Sequence, residues 1–280
     1  MLRNLFYRKP KSIGIDIGDT AIAIVALRRR SNKIIVSHMA SRDFSSNADI
    51  EQQKIKFLQN FFARNKINNE NIYVAIPSLQ VIKKELLFDE FLQDLDIKLQ
   101  LEMEQKQYFA GINEKLIFDF IRSGRNAMIY AIKQQTLTKK LEFLQAIGIH
   151  PICIEPDSFA WLRLINVRKK KILSENELNI LLILQKYTAK IILFNDNEIL
   201  YENDKINREK GIDINFVQHS LEHFRATNSI YKFTTMYVIG EADWIGQCGQ
   251  DIVKFELPKK INHKLLLAFG LALRGIDDCN

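Results

Sequence analysis

Short apolar runs and one amphipathic run alternate along the first 80 residues of the chain. The first two apolar runs are separated by the turn Gly18-Asp19-Thr20, which predicts a β-hairpin with a mostly buried first strand. In the amphipathic run, apolar side chains recur at helical spacing. The predicted elements are strands at 12–16, 21–27 and 33–38, a helix at 50–65 and a strand at 72–76.

Residues 81–132 have the pattern of an inserted unit, in which a strand, a long charged helix and a hairpin follow one another. The hairpin contains Ser123-Gly124-Arg125-Asn126, which is typical of a tight turn. A helix with one apolar stripe, a short strand and a second helix come next. The predicted elements are strands at 81–87, 115–121, 127–132 and 151–154, and helices at 89–108, 136–147 and 156–167.

The charged run at 168–171 lacks apolar periodicity and reads as an exposed linker, so we place a boundary after residue 170. Beyond it the order of elements begins again, with strands at 178–184, 188–194 and 199–203, a helix at 213–226, a strand at 236–239 and a helix at 263–274. This duplication of order predicts two related α/β lobes with a cleft between them. Residues 12–170 would form the first lobe, 171–280 the second, and 1–11 a flexible basic tail.

Composition narrows the class of protein. The chain has 280 residues, of which 47% are apolar and 26% charged, so it is an ordinary globular sequence. Lys and Arg together number 40, whereas Asp and Glu together number 33. The resulting net charge of +7 favours an anionic neighbour such as nucleic acid or a membrane surface. The basic runs lack the interleaved aromatic residues that single-stranded nucleic acid needs, so we expect no nucleic acid partner.

Cysteine usage and the apolar runs bear on the cellular compartment. The three cysteines are an odd number without C-x-x-C spacing, which argues against a disulfide framework or zinc module and favours a reducing cytoplasm. The amino terminus lacks the apolar core of a signal peptide, and no apolar run has the length of a membrane span. We therefore expect a cytoplasmic protein.

Two other sets of residues carry reactive groups without the surroundings of a catalytic or metal site. His219 and His223 have the i, i+4 spacing of zinc ligands, but no third ligand is evident and the apolar stripe of their helix lies opposite. Ser158 lacks the G-x-S-x-G surroundings of a nucleophile elbow, which favours a role at a helix start. We predict no catalytic residue and no metal site.

The turn Asp16-Ile17-Gly18-Asp19-Thr20 follows the first strand, and a D-x-G-x-T turn in a duplicated α/β chain resembles the actin and sugar-kinase ATPase superfamily. Further stretches narrow the resemblance to PilM, the actin-like protein of type IV pilus assembly. They are Ser12–Gly18, Val74–Pro77, Glu104–Tyr108, Phe118–Phe120, Ala146–Pro151, Glu155–Ala160 and the closing Phe269–Arg274, which contains the G-L-A-L-R typical of that family.

The resemblance implies an actin-like (ribonuclease H-like) two-lobed α/β fold, with residues 81–132 as a subdomain inserted as in FtsA. It implies a cytoplasmic scaffold, peripheral to the inner membrane, whose groove takes the amino-terminal peptide of a PilN-like protein that spans the membrane once. Other pilus platform or motor proteins would be further partners, and the positive charge would suit an anionic leaflet. The machine would serve pili and twitching motility, DNA uptake in competence, or protein secretion.

PilM relatives bind ATP, so the resemblance also implies a nucleotide site. Asp16 would hold Mg²⁺ through water, Gly18 and Thr20 belong to the first phosphate turn, and Gly240 belongs to the adenosine side. The serine usual after the glycine is Asp19, however, and the lysine usual five positions after it is Ala23. An anion gained and a cation lost oppose phosphate binding if both side chains face the cleft.

The second lobe departs further from the nucleotide-binding pattern. Its phosphate turn, Leu184-Gln185-Lys186-Tyr187-Thr188, has neither Asp nor Gly, and Tyr187 would crowd it. The stretch between Gly211 and Leu221, where relatives insert a base-covering subdomain, is one helix long. Glu155 is either a remnant of the family's acidic residue in the hinge or a solvated loop carboxylate.

We therefore expect a scaffold with weakened or lost ATP binding and a truncated second lobe. One alternative is an active actin-like ATPase whose nucleotide state gates partner binding. Another is a small-molecule kinase of the same superfamily, against which the missing catalytic Asp and second phosphate loop count.

Overall fold

A computed structural model describes residues 12–30, 33–45, 49–67, 71–166, 173–174, 176–185, 188–196, 198–206, 214–240, 243–248, 251–255 and 261–277. The first part of the chain forms β1 (Ser12–Ile17), β2 (Ala21–Arg30), β3 (Lys33–Asp43), α1 (Ile50–Asn65), β4 (Ile72–Ile76), β5 (Val81–Leu87), α2 (Asp94–Met103), α3 (Gln105–Tyr108), β6 (Leu116–Ser123), β7 (Asn126–Lys133), α4 (Gln134–Gln145), β8 (Cys153–Pro156) and α5 (Asp157–Asn166). The second part forms β9 (Glu177–Leu184), β10 (Thr188–Asn195), β11 (Glu198–Ile206), α6 (Ile214–Thr227), β12 (Lys232–Ile239), β13 (Asp251–Lys254) and α7 (Leu266–Asp277).

Two five-stranded sheets repeat one topology, which is the duplication that the order of elements predicts. The first has the order β3-β2-β1-β4-β8 and the second β11-β10-β9-β12-β13. In each, a three-stranded antiparallel meander is followed by two strands parallel to its first strand. The described part of the second lobe has one helix, α6, between β11 and β12.

The inserted unit is a separate three-stranded sheet with the order β5-β7-β6, placed between β4 and α4. Helix α2 covers one face of this sheet, where Ile97 and Leu101 pack with Leu116 and Ile129 in a fully buried cluster. This packing follows from strand alternation, because every second residue of β6 and β7 faces α2. The opposite face of the sheet is turned toward the first lobe.

Helices α5 and α7 pack on each other, and one continuous core joins them to both large sheets. It includes Val25 of β2, Trp161 of α5 and Phe194 of β10. Although α7 ends the described chain, it packs on β1, β2 and β4 of the first sheet. A Cβ on Gly14 of β1 would lie 1.9 Å from the Ala268 carbonyl oxygen, so this close approach requires glycine.

Several boundaries differ from the predicted ones. The charged helix expected from residue 89 begins at Asp94, because Asp89 forms a turn with the amide of Phe91 and a capping box follows at Gln93 and Asp96. Strand β3 runs on to residue 43, and β13 was not predicted. The linker at 168–171 and the tail 1–11 lie outside the described residues. Within those described, no helix is both long and apolar enough to cross a membrane.

Candidate functional site

The first hairpin turn is held by hydrogen bonds within the protein. The Gly18 amide donates to the Ala21 carbonyl at 2.9 Å, and the Phe44 amide donates to the Thr20 carbonyl at 2.7 Å. The buried Lys54 of α1 donates from Nζ to the Gly18 carbonyl at 2.8 Å. A Cβ on Gly18 would meet nothing closer than 3.5 Å, so the turn itself does not require glycine.

Asp16, near the end of β1, interacts electrostatically with the half-buried Lys140 of α4. Burial raises the pKa of Asp16 from 3.8 to about 6; Lys140 of α4 opposes this increase, and Asp157 adds to it. Burial lowers the pKa of Lys140, although Asp16 acts in the opposite direction. Lys54 and Lys140 therefore bring to this turn the positive charge that is missing at Ala23, whose side chain is buried in the core between the lobes.

A buried ionic bridge joins the two lobes across the cleft. Lys190 of β10 places Nζ 3.0 Å from Asp157 Oδ1, at the start of α5, and 3.0 Å from Asp204 Oδ2 on β11. The same Asp157 oxygen accepts hydrogen bonds from the amide and hydroxyl of Ser78. Burial lowers the pKa of Lys190, but Asp157 and Asp204 outweigh it and hold the pKa above its usual value. The ammonium group therefore stays charged.

The second hairpin turn is also closed on itself. The Gln185 amide donates to the Thr188 carbonyl at 2.8 Å, and the Thr188 hydroxyl donates to Gln185 Oε1 at 3.0 Å. Lys186 and Tyr187 lie outside the described residues. Gly240 follows β12 with φ +101°, and a Cβ there would lie 2.2 Å from the Leu184 carbonyl oxygen. Packing against β9 thus accounts for this glycine.

The structure thus places the four predicted nucleotide residues at two turns, with Asp16, Gly18 and Thr20 on the first and Gly240 beside the second. It adds groups that the sequence did not single out, which are Lys54, Lys140, Asp157, Lys190 and Asp204. The sequence does contain an indication of one of these groups. Lys190 is the only charged residue in the apolar run 188–194, and a lysine in such a run needs a partner of opposite charge. Their pairing depends on how the lobes dock.

A second concave region lies between the first lobe and the face of the inserted sheet that α2 leaves uncovered. It is a groove of about 490 Å³. Its lining includes Ile117, Asp119 and Ile121 of β6, Tyr130 and Ile132 of β7, Cys153 and Glu155 of β8, Phe159 and Arg163 of α5, and Arg274 of α7. The lining is mainly apolar, with charged groups at one side.

Glu155 is the centre of that charged group and is only 3% exposed. Arg163 binds its two oxygens in a bidentate pair at 2.9 and 3.1 Å, and Arg274 donates to Oε2 from the other side. Arg163 also donates to the Gly270 carbonyl at 2.9 Å. The alternative of a solvated loop carboxylate is therefore wrong: Glu155 ties β8, α5 and α7 together beneath the groove.

Two strand edges border the groove. Strand β8 is the last strand of the first sheet and β6 the last of the inserted sheet, and no other described strand pairs with their outer edges. An unpaired edge presents backbone N–H and C=O groups that can pair with another extended segment. Apolar side chains are exposed beside these edges, with Ile121 57% and Ile152 61% accessible.

The two histidines on α6 are not part of a metal cluster. His223 packs its ring on Tyr201 with centroids 5.9 Å apart. Over the described ranges of the chain, no three His, Cys, Asp or Glu side chains are grouped so that they could share a metal ion.

Two lobes of identical strand order, packed on shared helices with a hairpin turn from each lobe at the cleft, define an actin-like fold. The family of the type IV pilus assembly protein PilM matches residues 14–211. The chain belongs to this family.

Comparison with solved structures agrees with the fold. The PilM-PilN type IV pilus biogenesis complex matches 96% of this chain and 99% of its own with a TM-score of 0.73 at 15% identity. The cytoplasmic domain of EpsL, an inner membrane component of the type II secretion system of Vibrio cholerae, matches 95% and 94% with a TM-score of 0.54 at 10% identity. A protein of unknown function with an actin-like ATPase fold from Bacteroides thetaiotaomicron matches 83% and 82% with a TM-score of 0.51 at 11% identity. None of the curated proteins matches the chain.

Proposed function

We propose that the chain is a scaffold of a type IV pilus, competence or related secretion machine that binds the amino-terminal cytoplasmic segment of a PilN-like inner-membrane protein. Membership of the PilM family and the likeness to the chain of a PilM-PilN complex support this role. The likeness to an inner membrane component of a secretion system supports the same class of machine. Other platform or motor proteins would contact the scaffold elsewhere.

The groove beside β8 is the proposed binding site for the segment. The observation that carries this choice is the combination of an apolar cavity of about 490 Å³ with the open edges of β6 and β8. An extended peptide can add to such an edge by main-chain hydrogen bonds while alternate side chains enter apolar pockets. Arg163 and Arg274 would orient the segment through its polar groups, because Glu155 holds both guanidinium groups in place.

We further propose that this role does not need ATP. The amides of Gly18 and Gln185, one in each hairpin turn, already donate hydrogen bonds within the protein. Asp157 and Asp204 line a small cavity of about 160 Å³ at the cleft, where both are already paired with the internal cation Lys190. These residues do not fit a site for Mg²⁺ and a polyphosphate, so we assign no catalytic step to the cleft.

The proposed position is at the cytoplasmic face of the inner membrane, where the partner would hold the scaffold. The net charge of +7 supports this position, since the cytoplasmic leaflet is anionic.

The test uses the purified protein and a fluorescently labelled peptide. The peptide is the segment preceding the membrane span of the PilN-like protein encoded in the neighbouring genes. We expect saturable binding by anisotropy, and Ile121→Arg should weaken it at least about ten-fold because it puts a charge into the groove. The matched control is Leu95→Arg, which changes a similarly exposed residue on α2, away from the groove.

Two results would contradict the proposal. One is failure of the unmodified protein to bind the peptide. The other is equal binding by the Ile121→Arg and Leu95→Arg variants, which would locate the peptide elsewhere. Circular dichroism would establish that both variants are folded.

A further inference from the structure

Two of the three acidic side chains of strand β11 in the second lobe are each paired with a lysine in a different layer of the protein. Glu202 lies 2.5 Å from Lys83 Nζ on β5 of the inserted sheet, and the two side chains are only 12% and 20% exposed. Asp204 lies 3.0 Å from Lys190, which in turn binds Asp157 of the first lobe. Both acidic groups face away from the α6 side of their sheet.

The Glu202 pair reaches one wall of the groove. Lys83 lies opposite Tyr130 in the register of β5 and β7, with its Nζ 5.6 Å from the centroid of the Tyr130 ring. Burial raises the pKa of Tyr130 to about 12, with a further contribution from Glu202 and Glu198, so the ring stays neutral beneath the ammonium group. Tyr130 is part of the groove lining, whereas neither Lys83 nor Glu202 is.

The Asp204 pair reaches the opposite wall. Asp157 is the first residue of α5, so its ion pair with Lys190 ties the start of this helix to the second lobe, alongside the hydrogen bonds that Ser78 donates to the same carboxylate. Two residues further along, Phe159 lines the groove and packs on Tyr130 with ring centroids 5.4 Å apart. Both walls of the groove are therefore linked to β11, one directly by the Lys83–Glu202 pair and the other through Lys190 of β10, which pairs with both Asp157 and Asp204.

We propose that β11 is a clasp that positions the partner groove: Glu202 holds the wall formed by the inserted sheet, and Asp204 holds the wall formed by α5 through Lys190. This inference rests on the proposed function of the groove. Lys83, Lys190, Glu202 and Asp204 are positioning residues, because they act through Tyr130 and Asp157. The clasp makes the second sheet necessary for partner binding, although no described residue of its strands β9–β13 lines the groove.

The experiment exchanges one charge pair in the full chain. Lys83→Glu and Glu202→Lys each place like charges against each other, and the double variant restores an opposite pair with reversed polarity. We expect each single variant to bind the labelled partner peptide about ten-fold more weakly, and the double variant to recover most of this loss. Lys98→Glu on α2 and Glu222→Lys on α6 make the same charge changes at exposed positions and serve as controls.

A second measurement does not involve the partner. Hydrogen exchange, followed by mass spectrometry on the free protein, should be faster in β5 and β11 of the single variants and should return toward the original rate in the double variant. A general loss of stability would instead accelerate exchange throughout the described strands and helices rather than in β5 and β11 alone.

The outcomes separate the two proposals. Hydrogen exchange that changes as expected in the variants, with unchanged affinity for the peptide, would overturn the clasp, since the Lys83–Glu202 bridge would then not position the groove. Unchanged exchange in the single variants would overturn it as well. If the unmodified protein binds no peptide, the proposed function fails on its own, and the exchange data still decide whether β11 holds the inserted sheet.

Discussion

Asp16 is a carboxylate that remains ionised at neutral pH at a cost to stability. Its pKa is raised to about 6 because burial removes hydration that Lys140 only partly replaces. The substitution Asp16→Asn keeps the shape of the side chain and removes the charge. We predict that this variant is more stable than the unmodified protein at pH values above that pKa.

The expected gain in stability follows from the size of the pKa increase of Asp16. A pKa raised from 3.8 to about 6 corresponds to about 3 kcal/mol between the ionised and neutral forms, which is the upper limit of the expected gain. Because the folded pKa lies above the unfolded one, the protonated group favours the folded state below pH 3.8, and this contribution is lost as the pH rises through about 6. The advantage of Asn should therefore be full at about pH 8 and small at about pH 4.

Urea denaturation at both pH values measures the prediction, with tryptophan fluorescence, to which the buried Trp161 contributes, as the probe. Asp19→Asn is the matched control, because Asp19 lies on the same turn with its side chain exposed. The control should change the free energy of unfolding little at either pH. An Asp16→Asn variant that is less stable than the unmodified protein at about pH 8 would refute the reasoning, since the carboxylate would then be a net stabilising partner of Lys140.

Two further predictions concern the cleft. Lys190→Met should lower the free energy of unfolding by about 3 kcal/mol, because Asp157 and Asp204 are left as buried charges without their partner. The control Lys232→Met, at an exposed position on β12, should have little effect. Equal effects of the two substitutions in urea denaturation would contradict the prediction. ATP with Mg²⁺ should leave the unfolding midpoint unchanged because we expect no binding. A nucleotide that did bind, present at 100 times its Kd, would raise the free energy of unfolding by about 2.7 kcal/mol. Saturable binding of a fluorescent ATP analogue that Asp16→Ala abolishes would show that the site is intact.

Most of the strands and helices were predictable because each buries one face, and burial imposes a period on the sequence. Helix α1 and strands β4 and β5 were predicted with the boundaries that the structure has. The strand β13, at 251–254, was missed because its burial pattern has no alternation of buried and exposed positions. The start of α2 was misplaced because a capping box at its beginning competes with the run of helix-forming residues before it.

The site was less predictable than the fold. Residues of the first hairpin turn could be named from a local motif, but the groove could not, because its walls come from β6, β7, β8, α5 and α7. Arg274 and Glu155 are 119 residues apart in the chain, so no spacing indicates that they meet. Likewise the pairing of Lys83 with Glu202 depends on the contact between the inserted sheet and the second lobe.

By itself the sequence determined most of the order of elements, the duplication of the lobes and the family, because each of these is carried by local periodicity or a contiguous motif. The tertiary structure decided which charges meet. It placed Lys190 between Asp157 and Asp204, and it packed α7 on the first sheet although that helix follows the second. The physical reason is that an ion pair requires its two atoms to approach within a few ångströms, and only the docking of the lobes brings them there.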